Sequence, residues 1–162
     1  MKKTLCLLLA LSTFVSFSSC GSSTGDTEDT EEIQTVLTYQ DDESKGTIEK
    51  VIRDRVASKF DDHTTISSIT INDDAGTPAE DDYIVILNLN WNQKNKADTA
   101  KQVIQMYSED LAATVGNNAS NVQEIAISWN VSYLNTTAKI SYERKNNGMV
   151  IMDTVWGSGF DS

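Results

Sequence analysis

The residues of this sequence best suited to chemistry are carboxylates that gather after a predicted strand. Carboxylate oxygens are ligands that Ca²⁺ accepts in flexible arrangements, although the spacing of an EF-hand loop is absent here. Acid-rich loops at strand ends also serve as solvated turns and protect sheet edges. We therefore predict no cofactor, with a calcium ion as the alternative. The candidate calcium ligands are Asp73, Asp74, Glu80, Asp81 and Asp82.

Paired acids could also perform hydrolysis, since a glycosidase needs two carboxylates that converge on a cleft. The separation of residues along a chain does not show such convergence, so hydrolysis stays an alternative. The acids considered for it are Asp98, Asp110, Glu124, Glu143 and Asp153. Asp153 has a second interpretation, because it lies inside the last predicted strand. If that strand forms a sheet edge, the charge would oppose pairing with another strand.

Other catalytic classes lack the residues that they need. His63 is the one histidine, and it follows Asp61 and Asp62 in a predicted loop, where it would be a cation at a helix end. One histidine cannot supply a zinc, haem or iron–sulfur site. A glycine-rich phosphate loop and a dinucleotide-binding fingerprint are both missing from the sequence. The sequence therefore favours a protein without catalytic residues.

Three aromatic side chains near the end of the chain could bind a ligand. Flat rings bury a large area at low entropic cost, as sites for carbohydrates or peptides require. Trp156 and Phe160 close the chain in a Trp-Gly-Ser-Gly-Phe segment, and Tyr133 precedes a predicted strand. We predict that Trp156 and Phe160 are the most exposed aromatic pair. A terminal segment pinned back onto the sheet would explain them equally well.

The N-terminus has the zones of an export signal. Lys2 and Lys3 precede an apolar stretch, residues 5–17, which is short for a membrane span. The sequence Phe-Ser-Ser-Cys then ends at Cys20 and is followed by Gly21, which resembles the lipobox of bacterial lipoproteins. The resemblance implies removal of residues 1–19, acylation of Cys20 and attachment to the cell membrane on the side outside the cytoplasm. Cys6 would be removed with the leader.

The charge of the chain is strongly acidic. Its net charge is −11, and removal of residues 1–19, which contain two lysines and no acid, makes it −13. Such a surface repels nucleic acid, so we predict no nucleic-acid partner. Residues 20–46 are rich in Ser, Thr, Asp and Glu and are predicted to be the lipidated cysteine and a flexible tether. Within them, the apolar patch at residues 33–39 suits a turn of helix or an extra strand.

The remaining residues, 47–162, are long enough for a single domain. Thr47 is a plausible helix cap before a helical apolar face, and a second helix is predicted from residues 95–98 to just before Gly116. Alternating apolar residues predict five strands, two before and three after the second helix. The predicted strands are 64–72, 83–91, 122–132, 137–145 and 149–156. Short connections favour antiparallel pairing, so the expected fold is a two-layer α+β sandwich with both helices on one face of a mostly antiparallel sheet.

Taken together, these features favour a membrane-tethered extracytoplasmic lipoprotein that acts as a non-enzymatic binding or interaction module at the cell envelope. The alternatives are a small envelope hydrolase with paired carboxylates and a structural subunit of an envelope complex. The expected partners are the membrane, through lipid on Cys20, and an envelope protein or glycan. In general makeup the mature chain resembles the small uncharacterised lipoproteins of Gram-positive bacteria.

Overall fold

The computed structural model describes residues 43–73, 76–79, 81–146 and 148–161. The predicted leader, Cys20 and most of the predicted tether lie outside these residues. The helices are α1 (Glu43–Lys59) and α2 (Ala97–Asn118), and three short 3₁₀ turns occupy Asp61–His63, Ser132–Leu134 and Ser158–Phe160. The strands are β1 (Thr64–Asp73), β2 (Tyr83–Trp91), β3 (Val122–Val131), β4 (Thr136–Lys145) and β5 (Gly148–Trp156).

The five strands form one sheet in the order β1-β2-β3-β4-β5. Three neighbouring pairs are antiparallel, and β2 and β3 are parallel. The parallel pair arises because α2 crosses back over the sheet between these strands, whereas the other strands are joined by shorter connections. The predicted α+β fold, with two helices and a mostly antiparallel five-stranded sheet, is confirmed.

The core lies between the helices and one face of the sheet. Every second residue of β2, from Tyr83 to Trp91, is at most 4% exposed, as the alternating pattern predicts. In α1, Ile48, Ile52 and Val56 recur every four residues and are buried against this face. Trp129 is fully buried, and its Nε1 donates to Ser108 Oγ of α2 at 2.9 Å. The indole polar atom is therefore satisfied inside the core.

Both helices are longer than predicted. The prediction that Thr47 caps α1 is wrong, because the helix already begins at Glu43. Lys45 Nζ lies 2.8 Å from Asp73 Oδ1, which holds this first turn against the end of β1. Helix α2 likewise continues through Gly116, which was predicted to follow its end. A Cβ at Gly116 would lie 2.7 Å from Met149 Cγ, so this glycine allows close packing of β5 on the helix.

Arg144 of β4 closes the C-terminal end of α2. Its Nε donates to Val122 O at 2.8 Å, and its Nη2 donates to Ala119 O at 2.8 Å. Both terminal nitrogens also donate to Gly116 O at 3.2 Å. The last carbonyls of a helix have no partner inside the helix and carry partial negative charge, so a guanidinium stabilises them. The guanidinium thus satisfies carbonyls at and just beyond the end of α2, where the capping residue Ala119 has φ −139° and ψ 87°.

Candidate functional site

One face of the sheet is covered by neither α1 nor α2, and we call it the open face. The register aligns its residues in rows that run across the strands. The row nearest the start of β1 is polar and uncharged: Asn130 Nδ2 donates to Asn90 Oδ1 at 3.1 Å, and Asn90 Nδ2 donates to Thr65 Oγ1 at 3.5 Å. The open face comprises Thr65, Ser68, Thr70 and Asn72 of β1, Ile84, Ile86, Asn88 and Asn90 of β2, Glu124, Ala126, Ser128 and Asn130 of β3, and Thr137, Lys139, Ser141 and Glu143 of β4.

Strand β5 forms an edge of the sheet and carries an apolar surface that we call the β5 strip. The strip consists of Val150, Ile151, Met152 and Val155, which are 39%, 47%, 50% and 53% exposed. Among the described residues, only Ile86 and Met106 are other large hydrophobic side chains with comparable exposure. Single exposed hydrophobic residues are common, but four of them within six positions of one edge strand make β5 a candidate interaction surface.

Asp153 interrupts this strip in the middle of β5. The strand lies at the edge of the sheet, as the edge interpretation of Asp153 requires. Asp153 Oδ1 accepts the backbone N–H of Thr154 at 2.8 Å, and the register with β4 shifts at Ser141 and Tyr142. The shift marks a β-bulge, and bulges and charged side chains both oppose the addition of another strand. A partner of β5 would therefore contact its side chains rather than extend the sheet along its whole length.

A depression of about 420 Å³ lies where β3 ends, β4 begins and β5 ends. We call it the far-end depression, because α1 begins at the other end of the sheet, beside Asp73. Its lining residues are Asn130, Ser132, Asn135, Thr136, Thr137, Gly157 and Ser158. Two smaller depressions, of about 290 and 260 Å³, lie along the helices and are lined in part by Ile48 and by the ion-paired Arg55.

Close backbone contacts build the far-end depression. The N–H of Gly157 donates to Thr137 O at 2.9 Å, and the N–H of Gly159 donates to Thr136 Oγ1 at 3.3 Å. A Cβ at Gly157 would lie 2.8 Å from Thr137 O, so only glycine permits this approach. Asn135 has φ 47° and ψ 47°, a left-handed conformation that asparagine adopts more readily than most residues. The terminal segment is therefore pinned onto the start of β4.

The three aromatic residues predicted to bind a ligand lie around this depression but do not appear among its lining residues. Phe160 is 3% exposed, and its ring meets that of Trp156 at 5.1 Å in a T-shaped arrangement. Trp156 is half-buried under Lys101, whose Nζ lies 5.2 Å from the ring centroid. Tyr133 is half-buried and its OH accepts the N–H of Asn95 at 3.2 Å. The prediction of an exposed aromatic pair is therefore wrong for Phe160, and its burial agrees with the alternative, a terminal segment pinned onto the sheet.

The acids predicted to bind calcium are only partly described. Asp74 and Glu80 lie outside the described residues. Asp73 forms an ion pair with Lys45, and Asp82 Oδ1 accepts an N–H from Gln123 at 2.9 Å. Asp81 is exposed. Within the described ranges, no group of three or more His, Cys, Asp and Glu side chains is arranged to hold a metal ion.

The structure brings together two of the acids considered for hydrolysis. Glu124 and Glu143 are directly opposite on β3 and β4, and Glu143 also binds Lys145 Nζ at 2.5 Å. Asp110 instead pairs with Arg55 across the helices, and this hydrogen bond raises the pKa of Arg55. The last two acids are apart from these, since Asp98 lies in the first turn of α2 and Asp153 in β5. None of these acids lines one of the three depressions described above.

The two helices and the comparisons with known proteins bear on how this chain can be classified. In the part of the chain that the structure describes, neither helix is long and apolar enough to cross a membrane. Comparison with protein-family models, with curated proteins and with solved structures found no match for this chain.

Proposed function

We propose that this protein is a lipid-anchored interaction module of the cell envelope that docks a protein partner on the β5 strip. The anchor is the acyl chain that the lipobox-like sequence implies on Cys20, with residues 21–42 between the anchor and α1. The domain then acts by binding rather than by catalysis. The observation that carries this proposal is the exposure of four large hydrophobic side chains on one edge strand.

The position of these side chains supports docking rather than a role in folding. Val150 and Val155 align with Glu143 and Lys139 of β4, so they belong to the open-face side, while Ile151 aligns with Tyr142 on the helix side. The strip therefore wraps around the edge of the sheet. Burying apolar surface contributes about 25 cal/mol per Å², so a partner that covers this edge gains from each of these side chains.

The charge of Asp153 beside the strip favours a partner that contacts the side chains of β5 and covers only part of the strand. Asp153 is the only charged residue in β5, and its carboxylate occupies the Thr154 N–H that an added strand would need. This arrangement reduces unspecific strand pairing while leaving the hydrophobic side chains accessible. A surface with that combination suits a selective protein partner.

Site-specific photo-crosslinking in intact cells tests the proposal. A photoreactive amino acid is placed at Met152 of the full-length protein, and a matched control places it at Thr70, which is exposed on the opposite edge strand. We expect a defined adduct from position 152 that is absent from position 70 and is lost in an Ile151→Asp background. An adduct of twice the chain mass would identify the partner as a second copy.

The anchor is tested separately by fractionation and mass spectrometry. The Cys20→Ala protein should leave the membrane fraction, and the mature N-terminus should carry acyl chains on Cys20. In the crosslinking experiment, equal adducts from positions 152 and 70, or no adduct from either position, would contradict docking on β5. An unmodified N-terminus at another position would contradict the anchor.

A further inference from the structure

The far-end depression differs from the β5 strip in both position and chemistry, and we propose that it binds a neutral glycan. The ligand class is an uncharged oligosaccharide, recognised by hydrogen bonds to its hydroxyl groups. This site is independent of the protein partner proposed above, because neither surface shares a residue with the other. The observation behind it is the composition of the lining.

The lining consists of amides, hydroxyls and backbone groups. Of the 162 residues, 37 are Asp, Glu, Lys or Arg, yet the described residues that line this depression include none of them. Charged groups would suit a phosphate, a carboxylate or a cation, whereas Asn, Ser and Thr side chains each donate and accept hydrogen bonds. Sugar hydroxyls have the same dual character. The lining therefore matches a neutral, hydroxyl-rich ligand.

Contacts within the chain hold the shape of the depression. Its walls are held by the Gly157 N–H to Thr137 O and Gly159 N–H to Thr136 Oγ1 hydrogen bonds, and the buried ring of Phe160 fixes the terminal segment behind them. A site that needs no rearrangement loses less conformational entropy on binding. A rigid polar surface of this kind therefore binds a glycan more tightly than a flexible surface of the same composition would.

The surface next to the depression extends the site across the sheet. Asn130 lines the depression and also donates to Asn90, which in turn donates to Thr65 on β1. In the neighbouring row Asn88 Nδ2 donates to Ser68 Oγ at 2.8 Å. These uncharged groups continue for about 10 Å, from β3 to β1, at the usual strand spacing. The ligand that fits this track is a chain of more than one sugar unit.

A titration followed by NMR tests the proposal. The full-length protein is kept in a detergent without a sugar head group, and three neutral tetrasaccharides are added: the β-1,4-linked tetramer of N-acetylglucosamine, cellotetraose and maltotetraose. We expect at least one of them to shift the side-chain amide resonances of Asn130 and Asn135 saturably. The expected dissociation constant is about 1 mM, since the site is shallow and its hydrogen bonds replace those to water.

Matched variants separate the site from the rest of the sheet. The Asn130→Asp, Thr137→Val double variant should bind about tenfold more weakly, because it replaces a donating amide group by a carboxylate that only accepts and removes one hydroxyl. Thr70→Val removes a hydroxyl from the other end of the open face and should bind normally. Asn135→Gly keeps the left-handed conformation accessible while removing the amide, so it tests the site without disturbing the turn.

The outcomes are distinct for the two proposals. Absence of saturable shifts with all three tetrasaccharides at about 10 mM, ten times the expected dissociation constant, would overturn the glycan site. Equal affinities in the wild type, the double variant and Asn135→Gly would also overturn it. The Val155→Asp variant, which disrupts the β5 strip, should retain full glycan binding, so failure of one proposal leaves the other intact.

Discussion

Replacement of Tyr142 by phenylalanine should stabilise the domain. The Tyr142 side chain is 2% exposed, and within the described residues its OH is a buried polar atom without a hydrogen-bond partner. Burial of an unpaired hydroxyl costs about 1–3 kcal/mol, and Tyr142→Phe removes that hydroxyl while keeping the ring. We expect the free energy of unfolding at pH 7 to rise by about 1 kcal/mol. Tyr133→Phe is the matched comparison, because its OH accepts the Asn95 N–H, and we expect it to lower stability by about 1 kcal/mol.

The same hydroxyl makes the wild type less stable as the pH becomes alkaline. Desolvation by burial, and secondarily the charge of Glu109, raise the pKa of Tyr142 in the folded state, whereas an unfolded tyrosine has a pKa of about 10. Stability linked to this group is complete below the unfolded pKa and is lost as the pH rises toward the folded pKa. At about pH 11.5 the free energy of unfolding is lower than at pH 7 by about 2 kcal/mol because of this one hydroxyl.

Urea denaturation of the wild type and both variants between pH 7 and pH 11.5 measures these effects. The advantage of Tyr142→Phe over the wild type should widen from about 1 kcal/mol to about 3 kcal/mol across this range. If Tyr142→Phe destabilises the domain at pH 7, or if its advantage does not grow above pH 10, the hydroxyl is not buried without a partner.

Two further predictions concern the helix end and the sheet edge. Arg144→Met removes the guanidinium that binds three carbonyls, so it should lower the free energy of unfolding by about 3 kcal/mol in urea denaturation. The control is Lys139→Met, which removes an exposed cation of the same strand and should change the free energy of unfolding by under about 0.5 kcal/mol. A loss below about 1 kcal/mol for Arg144→Met would exclude its proposed role. Asp153→Thr frees the Thr154 N–H and removes the charge from β5, so light scattering should show concentration-dependent self-association; a variant that scatters as the wild type does at every concentration would remove the edge-guard role.

The fold could be predicted because the apolar residues follow two simple periods. Alternation from Tyr83 to Trp91 gave the bounds of β2 correctly, since one face of a sheet must be buried and side chains alternate between faces. The helix bounds were less accurate. Gly116 after an apolar stripe predicts a helix end, but its role depends on Met149, which lies 33 positions later. A long-range contact of this kind leaves no local pattern.

The candidate sites were harder to predict for the same reason. The far-end depression combines Asn130, Thr137 and Gly157, which come from three separate segments and follow no periodicity. The local signal for the closing segment is its Trp-Gly-Ser-Gly-Phe sequence, which fits either a pinned terminal segment or an exposed aromatic pair. The buried Phe160 favours the pinned arrangement.

The sequence by itself determined the α+β class, the bounds of β2 and the expectation of an exported, lipid-anchored chain, because apolar periodicity and leader patterns are local properties. Only the tertiary structure decided that β5 lies at an edge, that β2 and β3 are parallel and that uncharged side chains share one depression. Those features depend on strand order and register, which are set by how all the elements bury their apolar faces together.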